Sequence, residues 1–192
     1  MRVSREQAAQ NRERIIEAAG ALFRENGFGG IGVADIMKAA DLTHGGFYGH
    51  FASKDDLVAQ ACRRVMALAI ASWEKTAASD PDDAFGALLT RYLSPRHRDD
   101  PARGCVFAAL GADAARGGPL VHDAFADGLE PLIALLAESA PGSSKATRRR
   151  KAVAAMSGLV GALLLARAIG KRELSDEILE ATRRELLDDT GR

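Results

Sequence analysis

Apolar residues return every three or four positions along almost the whole chain, and this period most restricts what it can fold into. Ile15, Ala18, Ala19, Leu22 and Phe23 lie on one side of a helix; Leu57, Ala61, Val65 and Leu68 do the same, as do Ile178, Leu179, Thr182, Leu186 and Leu187 near the end. β-Branched runs are scarce and turn signals come roughly every 15–25 residues, which favours helices over strands. The 192 residues, 47% of them hydrophobic, are enough to bury a real core. The expected class is all-α, soluble and globular.

One stretch breaks the rule. Between Thr43 and Lys54 stand Gly45, Gly46 and Gly49, each costing a helix about 0.8–1 kcal/mol relative to Ala. Local propensity therefore cannot hold this segment. Phe47 and Phe51 are four apart and share a face. They would anchor a short helix, starting at an N-cap on Thr43, while His44, Tyr48 and the glycines point outward as a recognition surface. Upstream, the first helix starts at Ser4, paired with Gln7, or at Asn11, and ends at Gly27 in a left-handed conformation. A second helix is expected from about Val33 to Ala40. Asp41 then takes the left-handed turn position and Leu42 plugs inward. Helix, tight turn and short polar helix make a helix-turn-helix.

Charge gives little help. Lys plus Arg and Asp plus Glu are 26 each, and residues 1–54 hold seven basic side chains (Arg2, Arg5, Arg12, Arg14, Arg24, Lys38, Lys54) against six acidic ones, a net of +1. A nucleic-acid footprint would have to be local. Cys62 and Cys105 have neither zinc nor disulfide-framework spacing, so a reducing, cytoplasmic setting is expected and no metal. The N-terminus lacks the apolar stretch of a signal peptide. Ala152 to Ala166, the longest uncharged apolar run, has fifteen residues, fewer than the roughly 20 of a membrane span. It is expected to be a core or interface helix. No Ser/His/Asp spacing, Gly-rich phosphate loop or carboxylate pair points to catalysis, and neither enzyme activity nor a cofactor is expected.

Past the head, Ser53 and Asp56 read as the cap of a long helix reaching about Ala78, and Asp80-Pro81 as the restart of another through Tyr92. The run Ser94 to Gly104, with His97, Asp99 and Asp100, reads as a solvated charged loop. Cys105 to Arg116, Pro119 to about Ser139 with a kink at Pro131, and a helix after Ser175 complete the chain. The expected boundary separates a head, residues 1–53, from a larger helical unit, 54–192.

The first 55 or so residues resemble the DNA-binding head of the TetR/AcrR family of transcriptional regulators. Arg14-Ile15-Ile16-Glu17-Ala18-Ala19, Leu22-Phe23, Gly27-Phe28, Val33-Ala34-Asp35-Ile36, Ala39-Ala40-Asp41-Leu42-Thr43, Gly45, Phe47-Tyr48-Gly49-His50-Phe51 and Ser53-Lys54-Asp55-Asp56-Leu57 carry the resemblance. Asp41 replaces a usual glycine, and His44 and Gly46 stand where many members carry lysine and threonine or serine. The resemblance implies that Thr43, Tyr48, His50 and Lys54 touch phosphates and that His44 and Gly45 lie nearest base edges. It also implies a homodimer on a pseudo-palindromic double-stranded operator, formed through Met156, Leu159, Leu163, Ile178 and Leu186. A small-molecule effector would enter a cavity among Trp73, Phe107, His122 and Phe125. Cys105, at a helix start that favours a thiolate, would be a sensing residue, as thiols are in some members. A ligand- or thiol-responsive repressor is the function implied; a scaffold or small-molecule-binding dimer without DNA binding is the alternative.

Overall fold

A computed structural model describes residues 4–188; Arg2, counted above in the head's charge, lies outside them. Those residues form nine α-helices and two short 3-10 helices, with no strand among them. Helix α1 spans Arg5–Asn26, α2 Val33–Ala39, α3 Lys54–Ser79, α4 Ala84–Tyr92, α5 Pro95–Asp99, α6 Val106–Ala114, α7 Pro119–Ser139, α8 Lys145–Ala168 and α9 Glu173–Asp188. The 3-10 segments are His44–Gly49 and Pro101–Arg103.

Local sequence accounts for most of the helix ends. The Ser4 hydroxyl accepts from the Gln7 N–H, so α1 takes the earlier of its two possible starts. Gly27 closes it with φ 73°, its N–H donating to the Phe23 carbonyl. Ser53 accepts from Asp56 N–H at 3.0 Å, the cap that opens α3, and Asp56 accepts from the N–H of Ala52, the residue before the cap, at 3.0 Å. Helix α4 starts later than Asp80-Pro81 suggested. Asp83, whose carboxylate accepts from Gly86 N–H, is the stronger cap. At the other end of the chain α9 begins at Glu173, before Ser175, and Ser175 is buried in its first turn.

Helix α3 is the spine, packed on α1 at the head end and on α7 along the body; α8 lies between α7 and α9. At Gly128 any side chain would collide with Met66, which explains how α7 and α3 approach so closely. One core runs without interruption from Ile15, Phe23 and Phe47 through Leu57 and Met66 to Leu110, Leu159 and Leu179. Helix α8 is long and apolar enough to pass for a membrane span, with a window of mean hydropathy 1.5. Its Ala152, Leu159, Leu163 and Ala166 are fully enclosed by protein, as in a core helix.

The stretch Ser94 to Gly104 is no solvated loop. Pro95 starts α5 behind a Ser94 cap, and Arg98 is buried, its guanidinium bonded to Asp99 (2.7 Å), Ser175 (2.9 Å) and Asp176 (2.6 Å). Arg167 reaches in from α8 to the carbonyls of His97 and Arg98 at 2.7 and 3.2 Å. His97 donates from Nδ1 to the Tyr92 carbonyl at 2.8 Å and accepts at Nε2 from Cys105 N–H at 3.0 Å; this pattern assigns the neutral tautomer.

Candidate nucleic-acid interface

The recognition segment is a single 3-10 stretch, His44–Gly49, pinned from beneath. Phe47 is 1% exposed and Phe51 2%, with ring centroids 5.5 Å apart. Tyr48, between them in sequence, is 74% exposed and meets Phe47 only edge-on. The turn before it uses Asp41 at φ 54°, the one non-glycine with positive φ among the described residues, and Arg14 pairs with the Asp41 carboxylate at 3.1 Å. Leu42 packs on the core. Thr43 precedes the segment in extended backbone, but its hydroxyl makes no cap; that hydroxyl is exposed and unspent.

His44, Gly45 and Gly49 are exposed too, while His50 is half-buried against Phe51. A side chain built at Gly45 or Gly49 would meet nothing within 4 Å, and neither residue has positive φ. Neither packing nor backbone geometry within the chain therefore calls for glycine at these two positions. The absence of a side chain matters only to something that approaches from outside.

Lys54 departs from its expected role. Its ammonium donates to the Phe28 carbonyl at 2.6 Å and the Ile31 carbonyl at 2.7 Å and sits 6.0 Å from the Phe23 ring. Carbonyls of the α1–α2 link compensate a cation that the N-terminus of α3 repels, so no phosphate is required to hold it. Lys38, by contrast, carries nothing in the sequence that singles it out. It is exposed, its carbonyl accepts from Asp41 N–H at 3.0 Å in the recognition turn, and its ammonium has no partner among the described residues.

The family model described as "Bacterial regulatory proteins, tetR family" matches residues 15–61, from the middle of α1 to the first turns of α3. Residues 15–61 are thus similar to the TetR family's DNA-binding head. Over 59 residues the chain is 34% identical to the HTH-type transcriptional regulator AcrR of Shigella flexneri, 31% of this chain and 27% of that protein. Over 58 residues it is 40% identical to the HTH-type transcriptional regulator TtgR of Pseudomonas putida, 30% of this chain and 28% of that one. The matched stretch thus spans little more than a quarter of these relatives. Solved structures extend the likeness to the whole fold. A TetR transcriptional regulator from Chloroflexus aurantiacus superposes with TM-score 0.80 at 21% identity, covering 97% of both chains. NemR of E. coli in its reduced form superposes with TM-score 0.78 at 21% identity, covering 93% of this chain and 97% of that one.

Behind the TetR-family head the body holds a cavity of about 490 Å³, open to solvent on one side, and Trp73, Phe107 and Cys105 line it. His122 and Phe125 do not. His122 is exposed on α7 and Phe125 stacks edge-on behind Phe107, 5.4 Å away, because the inward face of α7 falls on Val121, Ala124 and Leu132. The premise of an activated thiol at Cys105 also fails. Burial pushes the Cys105 thiol up, more than the neighbouring Tyr92 hydroxyl and the N–H groups of Ala108 and Phe107 pull it down. Cys62, buried under α1, is pushed up to about 12.

The expected dimer contacts need the largest correction. Met156, Leu159 and Leu163 are buried inside the protomer's own core and cannot meet a second chain. Ile178 and Leu186 are half-buried, and Leu186 lies over Gly158 of α8. What α8 leaves outside is its other apolar stripe: Val153, Ser157, Leu164 and Leu165, the last 53% exposed, with Gly161 open beside them.

Proposed function

We propose that this chain is a dimeric, sequence-specific DNA-binding repressor, acting in the cytoplasm and released from its operator when a small molecule occupies the body cavity. Residues 1–53 form the head that reads DNA, and residues 54–192 hold effector and dimer contacts. Gly45 and Gly49 carry the reading: the chain bears the helix penalty of glycine at two exposed positions where nothing inside it requires one. A phosphate or base edge approaching the backbone is the physical use for such an opening. Around it stand the Thr43 hydroxyl, His44, Tyr48 and the ammonium of Lys38, while His50 contributes from the edge. Lys54 supports the surface from within.

TetR-family regulators act as dimers, and the exposed stripe Val153, Gly161, Leu164 and Leu165 suits a second copy. Two heads would then meet half-sites about one helical turn apart. With so few base-reading groups per head, affinity must come from pairing. The deciding experiment is selection of bound sequences from random DNA, followed by mobility shifts across a salt series. Steep weakening with salt on a pseudo-palindromic site is expected from counterion release, and Gly161→Arg, at a position with open space for a Cβ, is expected to abolish both dimer and shift. Absence of any shift at low salt would leave the DNA-free scaffold as the better reading.

A further inference from the structure

The walls of the body cavity are chemically unequal. Met66, Trp73, Leu88 and Phe107 make one side apolar, whereas the other holds Arg24, Arg91, Arg96 and Arg103 against a single carboxylate, Asp100. Two of these arginines are engaged. Arg91 bonds to the carbonyl and hydroxyl of Ser72 and to Thr76, and Arg103 pairs with Asp100 at 3.5 Å. Arg24 is different. Its side chain makes no hydrogen bond or ion pair to any described residue, and its Nε is buried without a partner. Facing the same cavity, Tyr92 is 4% exposed, and its buried hydroxyl has no oxygen or nitrogen partner, only the weak Cys105 thiol beside it.

Buried polar groups left unsatisfied are costly, and a desolvated cation more so. Burial holds Arg24 below its ordinary value and pushes the Tyr92 phenol well up, so the one is short of an anion and the other remains a donor. His97 adds no competing charge, being neutral by its two hydrogen bonds. Just behind the lining, Nη1 of Arg167 is a third buried donor without a partner. Two donors, one of them cationic, face a site whose opposite wall is aromatic and aliphatic. An inorganic anion would leave that wall unused, and a neutral apolar molecule would leave the donors unpaired.

We propose that the cavity takes a small organic carboxylate, its oxygens held by Arg24 and Tyr92 and its apolar body by Trp73, Phe107 and Met66. This assignment rests on reading the cavity as an effector site. Arg24 belongs to the last turn of α1, next to Phe23, whose ring packs into the head beside Phe28 and Lys54. A carboxylate drawn to Arg24 therefore acts on α1, whose Arg14 pairs with Asp41 in the turn before the DNA-reading segment.

Trp73, the chain's single tryptophan, lines the site and reports on it. Fluorescence titrations of the full chain with 3-phenylpropionate and octanoate, each against its uncharged amide, test the proposal. At least one acid is expected to bind about tenfold more tightly than its amide, the size of a charge-assisted hydrogen bond. Arg24→Gln should bring the acid down to its amide's affinity, and Tyr92→Phe should weaken the acid a few-fold. Arg24→Lys, which keeps the charge, should retain part of the preference and guards against a folding defect in the glutamine variant. Equal binding of acid and amide, no binding of either acid, or an undiminished preference in a folded Arg24→Gln protein would overturn the assignment. Mobility shifts on the selected operator are scored separately. A carboxylate that binds in this way without altering DNA affinity removes the effector reading and leaves the ligand class intact, and a chain that never binds DNA removes the repressor reading alone.

Discussion

The recognition segment, His44–Gly49, and the stretch from Ser94 to Cys105 look alike in sequence: short, polar, and broken by glycine or proline. They end in opposite environments. Phe47 and Phe51 give the first an apolar underside four residues wide, so its polar side chains turn outward. The second has no such pair, and its polar groups turn inward because their partners arrive from elsewhere: Ser175 and Asp176 for Arg98, Arg167 for two carbonyls, Cys105 N–H for His97. An apolar anchor within one turn can be read locally. Burial of a charge depends on partners 69 to 78 residues away.

Removing an anchor should show the largest effect. Phe47→Ala is expected to cost about 3–5 kcal/mol, the range for a fully buried aromatic. Because head and body share one core, denaturant unfolding followed by fluorescence and by circular dichroism should still give a single transition. Two separated transitions would mean that the head is held only by itself.

In the inward-facing stretch the cost should be smaller and polar in origin. The Ser175 hydroxyl accepts from Arg98 and donates to the Ala166 carbonyl, both at 2.9 Å. Ser175→Ala should lose about 1–3 kcal/mol through those unsatisfied partners, measured by the same denaturant midpoint.

His97 supplies the pH test. Burial holds its pKa below the ordinary 6.5, so on acidification the unfolded chain takes up the proton before the folded one does. The stabilising contribution is complete above that ordinary value and is lost as pH falls through the folded value. Protonation at Nε2 would also break the bond from Cys105 N–H. Unfolding free energy should therefore decline from pH 7.5 toward 5.5, and a His97→Gln protein should show a shallower decline. Equal slopes in the two proteins would place the titrating group elsewhere.

The smallest change in stability, and the sharpest test of the outward-facing segment, is Gly45→Ala. With open space at its Cβ position, the substitution should leave stability unchanged or raise it by about 0.5 kcal/mol. Operator affinity should fall by roughly tenfold, the scale of one lost groove contact. A gain in stability at no cost in DNA binding would remove the reason given for the glycine.

Much of the head is legible in the sequence. Ser4 with Gln7, Ser53 with Asp56, Asp41 at positive φ and Phe47 with Phe51 are all relations within four residues, and each stands in the structure as the local chemistry requires. Lys54 shows where that reasoning stops. Its position at a helix N-terminus does raise the need for a counter-group, but the group is a pair of carbonyls from residues 23 and 26 positions earlier. Helix α8 shows a different limit. It is apolar nearly all round, so periodicity does not say which side faces inward, and the side holding Met156, Leu159 and Leu163, expected at a dimer contact, is the one the protomer buries in itself.

By itself, then, the sequence determined an all-helical chain with a helix-turn-helix head and an exposed, glycine-thinned recognition segment, because those properties follow from apolar period, capping and turn chemistry over a few residues. Only the tertiary structure decided that Ser94 to Gly104 is an interior polar network, that Arg24 and Tyr92 share one cavity, and which stripe of α8 remains uncovered. Each of those depends on side chains brought together from distant helices, and the free energy of a buried charge or an apolar face is set by what the rest of the chain places against it.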